Sequence, residues 1–595
     1  MNQSLYMMKL CAVSLVFIMA SCAYEAPVKQ NEKTVSIPEI IEPEISLPGN
    51  AYYHYMESQL KKNEKKLDAY IFHLENACQM DSSVFLKKEL ANAYLKVKQY
   101  EKALQILEMI AIQAPDNFDS WLLMGGIYQA MDKMDKAILS YETAMKLKPD
   151  KENIYLLIAE LYQKNDQLDE AKNIYNRLIK LNPKSHIAYF FLGQINRQQG
   201  NTNDAIKQFK QVIKLSPKTL QPMFELGEIY QEQNNHKKVV KIYQSILDKD
   251  ADNVQAMVEL GSWYYTKNHH KKARQAFLGI VKKLKKYPQF IKKIAAHFYD
   301  KKQNEIAVFA LKTFQKELSQ SNGIYYYLGI HYEENNQDDE ALASYQRIAE
   351  NSEYFENALL RMAYLFQKKE KFQQAVDLVE RLILTSPDDT ELYLFLGSIH
   401  EEARNFAKAE QAFQSGLAMD DNNYKLLFRL GVVYDKWGRK EDSMAQMKRV
   451  IKLHPNNANA LNYLGYTYAD SGIHLDEAEV LIRKALEQKP NDGYIMDSLG
   501  WVYFKRGLYA EAKTFLIKAI SLVPEDPIIL EHIGDVYIKL NQPEVAITYY
   551  EKALKFQKEV KSRQTIEKKI QEIYSNNQSQ NGKEVQLNDI NANSK

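Results

Sequence analysis

Residues 462–470 read Asn462-Tyr463-Leu464-Gly465-Tyr466-Thr467-Tyr468-Ala469-Asp470, and further along the chain repeats itself as Asp497-Ser498-Leu499-Gly500-Trp501-Val502-Tyr503. The mark to follow is the small residue after a leucine, with a tyrosine three places later. Upstream it recurs at Gly431, Gly397, Ala363, Gly329, Ala295, Gly261, Gly227, Gly193, Ala159, Gly125 and Ala91, each step 34 residues. Downstream, one step of 35 leads to Gly500 and 34 more to Gly534. Counting back 34 from Ala91 lands on Glu57, a degenerate first copy, so fourteen of fifteen positions are Gly or Ala. Twelve of the fifteen copies carry Tyr or Phe three residues later, which accounts for 40 Tyr beside 23 Phe in the composition.

A second small residue follows twelve places after the first, at Ala69, Ala103, Ala137, Ala171, Ala205 and on to Ala546. Val239 and Ser443 fill the slot in two copies, and Ala478 is displaced by one, which puts the inserted residue in the turn around Gly472. Eight of the 16 prolines, from Pro115 to Pro524, close a unit. A helical hairpin explains all of this. Helices approach closely only where a side chain is absent or a methyl, and the bulky Tyr or Leu alongside fills the next gap. Turns such as Gly200-Asn201 and Trp437-Gly438 separate the two helices, and the proline ends the second. These residues resemble the tetratricopeptide repeat family over roughly residues 50–560. The resemblance implies an all-α solenoid of about 15 hairpins in a right-handed superhelix.

The regularity weakens between Gly279 and Asn322, where the closing proline is lost and Lys282-Lys283, Lys285-Lys286 and Lys292-Lys293 crowd in. A distorted junction of two sub-arrays is expected over 279–322, with the lysines on a solvated helical face. Residues 561–574, with Ile566 and Ile570, read as the capping helix an open solenoid needs. Residues 575–595, rich in Asn, Gln and Ser, read as a disordered tail.

The amino terminus reads as an address. Lys9 precedes an apolar run from Leu10 to Ala20, too short to span a bilayer and suited to a signal-peptide core over 1–21. The run ends Met19-Ala20-Ser21-Cys22, which resembles the bacterial lipobox although Met19 stands where Leu is usual. That resemblance implies a diacylated Cys22. Ala23, rather than Asp, follows the cysteine, which by the family's sorting rule implies an outer-membrane lipoprotein facing the periplasm. Residues 22–49 hold Pro27, Pro38, Pro43 and Pro48 and read as an extended tether. Maturation then leaves Cys78 as the free thiol, placed in an apolar helical stretch and expected in the core.

Lys+Arg 78 against Asp+Glu 76 gives a net charge of +2, without the basic surplus of a nucleic-acid binder. Three cysteines exclude a disulfide framework or a Cys-rich metal site. No GxxxxGK[ST], GxSxG or HExxH occurs. His269-His270 sits in an inter-helix turn without a third ligand, and His400-Glu401-Glu402 lacks a histidine one turn on. Asp338-Asp339-Glu340 falls at a helix start, where carboxylates favour the dipole. The sequence therefore reads as a non-enzymatic chain with no cofactor and no metal.

The first helices are expected to line a groove, at positions three before and one after the first small residue. The earlier position is mostly apolar, from Leu122 and Leu156 to Leu394 and Phe428, and turns polar at Asn462, Asp497 and Glu531. The later one turns aromatic at Tyr364, Tyr466 and Trp501, with Asn459 and Phe504 on the same face. An amide between aromatic walls suits an extended backbone. Asn459, Asn462, Tyr466, Asp497, Trp501 and Phe504 are the expected partner-binding set, and Asn462 and Trp501, facing the groove, are expected to matter little to stability. The passage around Gly465 and Gly500 is also similar to the carboxyl-terminal repeats of large proteobacterial repeat lipoproteins. That group includes an outer-membrane adaptor that delivers cell-wall hydrolases to a carboxyl-terminal processing protease. The resemblance implies an envelope adaptor for protein or peptide partners, touching the membrane through its lipid only. The alternative is an assembly factor for a secretion, pilus or exopolysaccharide machine.

Overall fold

The computed structural model of the protein describes residues 50–575. The expected signal segment 1–21, lipidation site Cys22, tether to residue 49 and tail from 576 onward lie outside the described residues. Within them, fifteen helical hairpins run from Ala51–Asn63 with Leu67–Met80 to Pro527–Lys539 with Pro543–Phe556, and a last helix covers 560–575. The fold is an all-α tetratricopeptide repeat solenoid. Each hairpin packs its two helices together, and each second helix packs on the first helix of the next hairpin in the unit. The chain divides into two compact units between Ser216 and Pro217, the first holding five hairpins and the second ten.

Where the centre of a first helix is a glycine, it admits one side chain from its own hairpin. A Cβ on Gly125 would lie 2.5 Å from the Tyr141 ring, on Gly193 2.8 Å from Phe209, on Gly261 2.6 Å from Phe277 and on Gly500 2.7 Å from Leu516. The intruder always sits sixteen residues on, or seventeen for Ile482 against Gly465 after the insertion. Ala103, Ala137, Ala171 and Ala205 in the second helices are fully buried.

Turns between the two helices share a left-handed residue seven places after the small one. It is Lys98, Asp132, Asp166, Asn234, Asn268, Lys302, Asn336, Glu370, Arg404 and Asn541, but Gly only at Gly200, Gly438, Gly472 and Gly507. Side chains tolerate this conformation at a cost of about 1–2 kcal/mol, which the hairpin packing on both sides offsets. First helices are started by side-chain caps: Asn117, Ser185, Asn253, Asp389, Asn423, Asn457, Asp492 and Asp526 each accept from an amide in the first turn.

Two regions differ from the sequence reading. In the first hairpin the buried small residue is Ser58, fully enclosed, while Glu57 is half-buried and Tyr70 takes the inner place beside the half-buried Ala69. A carboxylate cannot occupy a helix contact without a partner, so the register slips by one residue. Around 279–322 one apolar core runs without a break from Met257 to Ala412. The irregularity there is local: the second helix His270–Lys286 is 17 residues long and the following first helix Phe290–Asp300 only 11. The boundary between compact units falls at 216, not in this stretch. Its lysines lean on rings, with Lys286 5.2 Å from the Tyr287 centroid and Lys293 5.4 Å from that of Phe290. At the carboxyl end the helix over 560–575 buries Ile566 and Ile573 against Leu530, Tyr550 and Ala553. Cys78 is half-buried rather than enclosed, and burial pushes its thiol up to about 11, so it is held as an unreactive thiol.

Candidate functional site: the first-helix face of the carboxyl-terminal repeats

Three consecutive first helices, Ala458–Ser471, Gly493–Lys505 and Pro527–Lys539, build the site. Trp501 is its centre. Its ring stacks on Phe504, centroids 4.7 Å apart and planes 6° from parallel, and on His532 at 4.0 Å and 17°. His532 Nδ1 lies 2.9 Å from Asp497 Oδ1, and both residues are buried. Burial drives His532 toward its neutral form, but the Asp497 carboxylate outweighs this and raises its pKa above the ordinary imidazole value.

Tyr466 is half-buried, and its hydroxyl pKa is raised first by burial and then by Asp470, Asp497, Asp435 and Glu531. Four carboxylates from four successive first helices thus surround one phenol. Asn462 is half-buried with its Oδ1 enclosed and without a hydrogen-bond partner, and the Trp501 Nε1 is enclosed and unpaired likewise. An unmet buried donor or acceptor costs about 1–3 kcal/mol. Asn459 is exposed and accepts from Lys489 Nζ at 2.9 Å, so its contact leads to the end of a second helix rather than to the Trp501 cluster.

The structure therefore brings Asp497, Trp501 and Phe504 together, sets Tyr466 in the same electrostatic neighbourhood, and leaves Asn459 outside the cluster. It corrects one expectation. Trp501 is only 8% exposed, so cutting it to alanine would remove packing along with the indole donor. The apolar positions three before the small residue are likewise partly covered: Leu122, Leu156, Leu394 and Phe428 are half-buried, and Phe224 and Val258 are buried. Tyr364, in contrast, is 53% exposed and stacks on Phe395 at 4.0 Å.

Sequence reasoning missed His532 and the column it belongs to, two places before the small residue. In other hairpins that column pairs with the position four after the small residue of the preceding hairpin, 28 residues earlier, whereas His532 reaches Asp497, 35 residues earlier. Gln231 meets Glu259 at 3.4 Å, Arg361 meets Glu333 at 3.3 Å, Arg429 meets Glu401 at 2.6 Å, and Tyr463 donates to Asp435 at 2.8 Å. The signal was a recurrent polar pair at an offset of 28, which is hard to see because each rung uses different residues.

One rung carries a pH prediction. Glu259 is buried; burial alone would raise its pKa, but His297 at 3.2 Å and Lys301 at 2.6 Å hold it at about 2, below the ordinary 4.5. A depressed carboxylate stabilises the fold fully above pH 4.5 and loses that contribution as the pH falls toward 2. The full effect is ~3 kcal/mol. Urea melts of wild type and Glu259→Gln should differ clearly at pH 6, by less than half as much at pH 3, and converge only below the folded-state pKa of about 2; a constant difference would contradict the rung.

Among the described residues, no group of three or more His, Cys, Asp or Glu is placed to hold a metal ion, and no helix is long and apolar enough to cross a membrane.

With this geometry in hand, the likeness to known proteins is specific in kind and partial in extent. Tetratricopeptide repeat family models match residues 196–258, 360–424, 428–493, 494–522 and 529–559, and the cytochrome c-type biogenesis protein H TPR domain matches 111–222. The chain carries tetratricopeptide repeats. It is 31% identical over 180 residues to the TPR repeat-containing protein PA4667 of Pseudomonas aeruginosa, covering 29% of this chain and 30% of that one. It is 24% identical over 119 residues to anaphase-promoting complex subunit 3 of Schizosaccharomyces pombe, 20% of this chain and 18% of that one. The chain thus spans less than a third of the length of either relative. Among solved structures, a tetratricopeptide repeat protein from Parabacteroides merdae aligns at a TM-score of 0.38 and 14% identity, over 42% of this chain and 99% of that one. Repeats of this kind serve as scaffolds for protein–protein contact.

Proposed function

We propose that the chain is a lipid-anchored adaptor of a bacterial cell envelope. It holds an extended segment of a protein partner along the first helices of its last repeats and presents substrates to a periplasmic protease. The observation that carries the binding site is the enclosed, unpaired couple of the Asn462 acceptor and the Trp501 donor. A peptide backbone offers one N–H and one C=O per residue, the complement of that couple. Lys505 is exposed, with its Nζ 5.1 Å from the indole centroid, while Phe504 and His532 stack on the ring.

Two experiments test the reading. Cys22→Ser removes the lipid, and the variant should leave the membrane pellet for the soluble periplasmic fraction, because one residue carries the whole anchor. Retention in the pellet after a high-salt wash would end the lipoprotein assignment. Affinity capture from native membranes with mass spectrometry should recover an envelope protease with its substrates. Recovery of polymer-export or pilus components instead would replace the protease role with that of an assembly factor.

A further inference from the structure

We infer that the outer face of the first helix, Ala51–Asn63, joins two copies of this chain about a two-fold axis. In the hairpins that follow, the positions five before and two after the small residue of a first helix are buried: Ser120 and Ile127, Ile154 and Leu161, Ala188 and Ile195. The first hairpin, with Ser58 as its small residue, has Tyr53 and Leu60 there, and they are 41% and 49% exposed. Met56, on the same stripe, is 50% exposed, whereas Leu123, Leu157 and Phe191 at the matching position pack against the core. The hairpin's own packing is intact, since Ser58, Tyr70 and Leu74 are buried. What it lacks among the described residues is the second helix of a preceding hairpin. Tyr53, Met56 and Leu60 therefore form a stacking face that keeps its apolar side chains with nothing stacked on it.

The occupant is a helix, because a helix closes this face in the hairpins that follow. Residues 22–49 hold no proline-free run longer than ten, short of the 14 residues of a second helix such as Leu67–Met80. A second copy supplies the helix, and the stripe is complementary to itself. Laid antiparallel about Met56, Tyr52 of each copy meets Leu60 of the other, the self-matching contact of a two-fold dimer. The charges favour this direction. Residues 34–60 carry Glu39, Glu42, Glu44 and Glu57 and no Lys or Arg, whereas residues 61–68 carry four Lys against Glu64 and Asp68. Lys61 and Lys66 share Glu64, and Lys62 meets Glu89 in the next hairpin. With Glu89 and Asp68 counted, four lysines still face three carboxylates. An antiparallel pair sets this basic end beside the acidic approach to the other helix and opposes the two helix dipoles, while a parallel pair would place like on like.

The test uses the mature chain from residue 22 with Cys22→Ser, so that no lipid drives association. A single helix seam is a small interface, so sedimentation equilibrium should show a reversible dimer with a midpoint on the order of 10–100 µM. Tyr53→Glu with Leu60→Glu should weaken association at least about tenfold. The melt should not change, since both side chains are exposed in the single chain. In a Cys78→Ser background, Met56→Cys should join two chains through a short bismaleimide. Leu139→Cys, 63% exposed on the second helix Met134–Leu147, should not. A chain that stays monomeric, a dimer indifferent to the two glutamates, or crosslinking from position 139 rather than 56 would overturn the proposal. So would a monomer that pellets with phosphatidylglycerol vesicles through Tyr53 and Leu60, which would make the face a lipid contact.

Discussion

Gly397→Leu is expected to lower stability by about 3 kcal/mol or more, the upper range of overpacking. The reason is local: even a methyl at this position would run into the Phe413 ring, and Phe413 is fully buried with no room to retreat. Leu adds three further carbons toward the same ring. Because each hairpin touches only its neighbours, hydrogen exchange should rise in 390–417 and in the adjoining hairpins while 84–215 stays protected. Gly126→Ala is the control. A Cβ there meets the Tyr141 hydroxyl at 3.6 Å, an ordinary contact, and replacing a mid-helix glycine should stabilise by ~0.5–1 kcal/mol. Neighbouring Gly125 has no such freedom. Uniform loosening of all fifteen hairpins by Gly397→Leu would contradict a quasi-one-dimensional array.

The second large effect is on binding. Asn462→Ala with Trp501→Phe should weaken partner affinity about a hundredfold to a thousandfold. Each change leaves a polar atom of the bound backbone without its partner, and two such losses come to roughly 3–4 kcal/mol. Phenylalanine keeps the stack between Phe504 and His532, so the melt should move far less than with Trp501→Ala. Titration calorimetry with the captured partner reads the affinity, and a thermal melt at matched concentration reads the fold. Unchanged affinity moves the search to the exposed faces of the second helices.

The architecture was legible in the sequence because one requirement repeats: a side chain no larger than a methyl recurs every 34 residues, once 35, as Gly or Ala in fourteen of fifteen copies. What fills the gap was not legible. The intruding side chain is Tyr141, Phe209, Met447, Ile482 or Leu516, and any residue of about that volume serves. The left-handed turn residue was equally hidden, since packing on both sides holds Glu370 or Arg404 where glycine would be expected. At the site, the polar and aromatic departures at Asn462, Asp497 and Trp501 were visible as breaks in an apolar column. His532 was not, because its meaning comes from Asp497 one hairpin earlier. A contact between residues 35 apart shows only when the hairpins are stacked.

The central claim is that partners lie on the first-helix face of the last repeats. Site-specific photo-crosslinking in cells tests it most directly, with the crosslinker at exposed Asn459 on a first helix and, in a second strain, at Val480, 66% exposed on a second helix. The account predicts a partner adduct from position 459 that disappears with Asn462→Ala/Trp501→Phe, and none from position 480. An adduct from position 480 alone, or one from 459 that survives the double change, would contradict it.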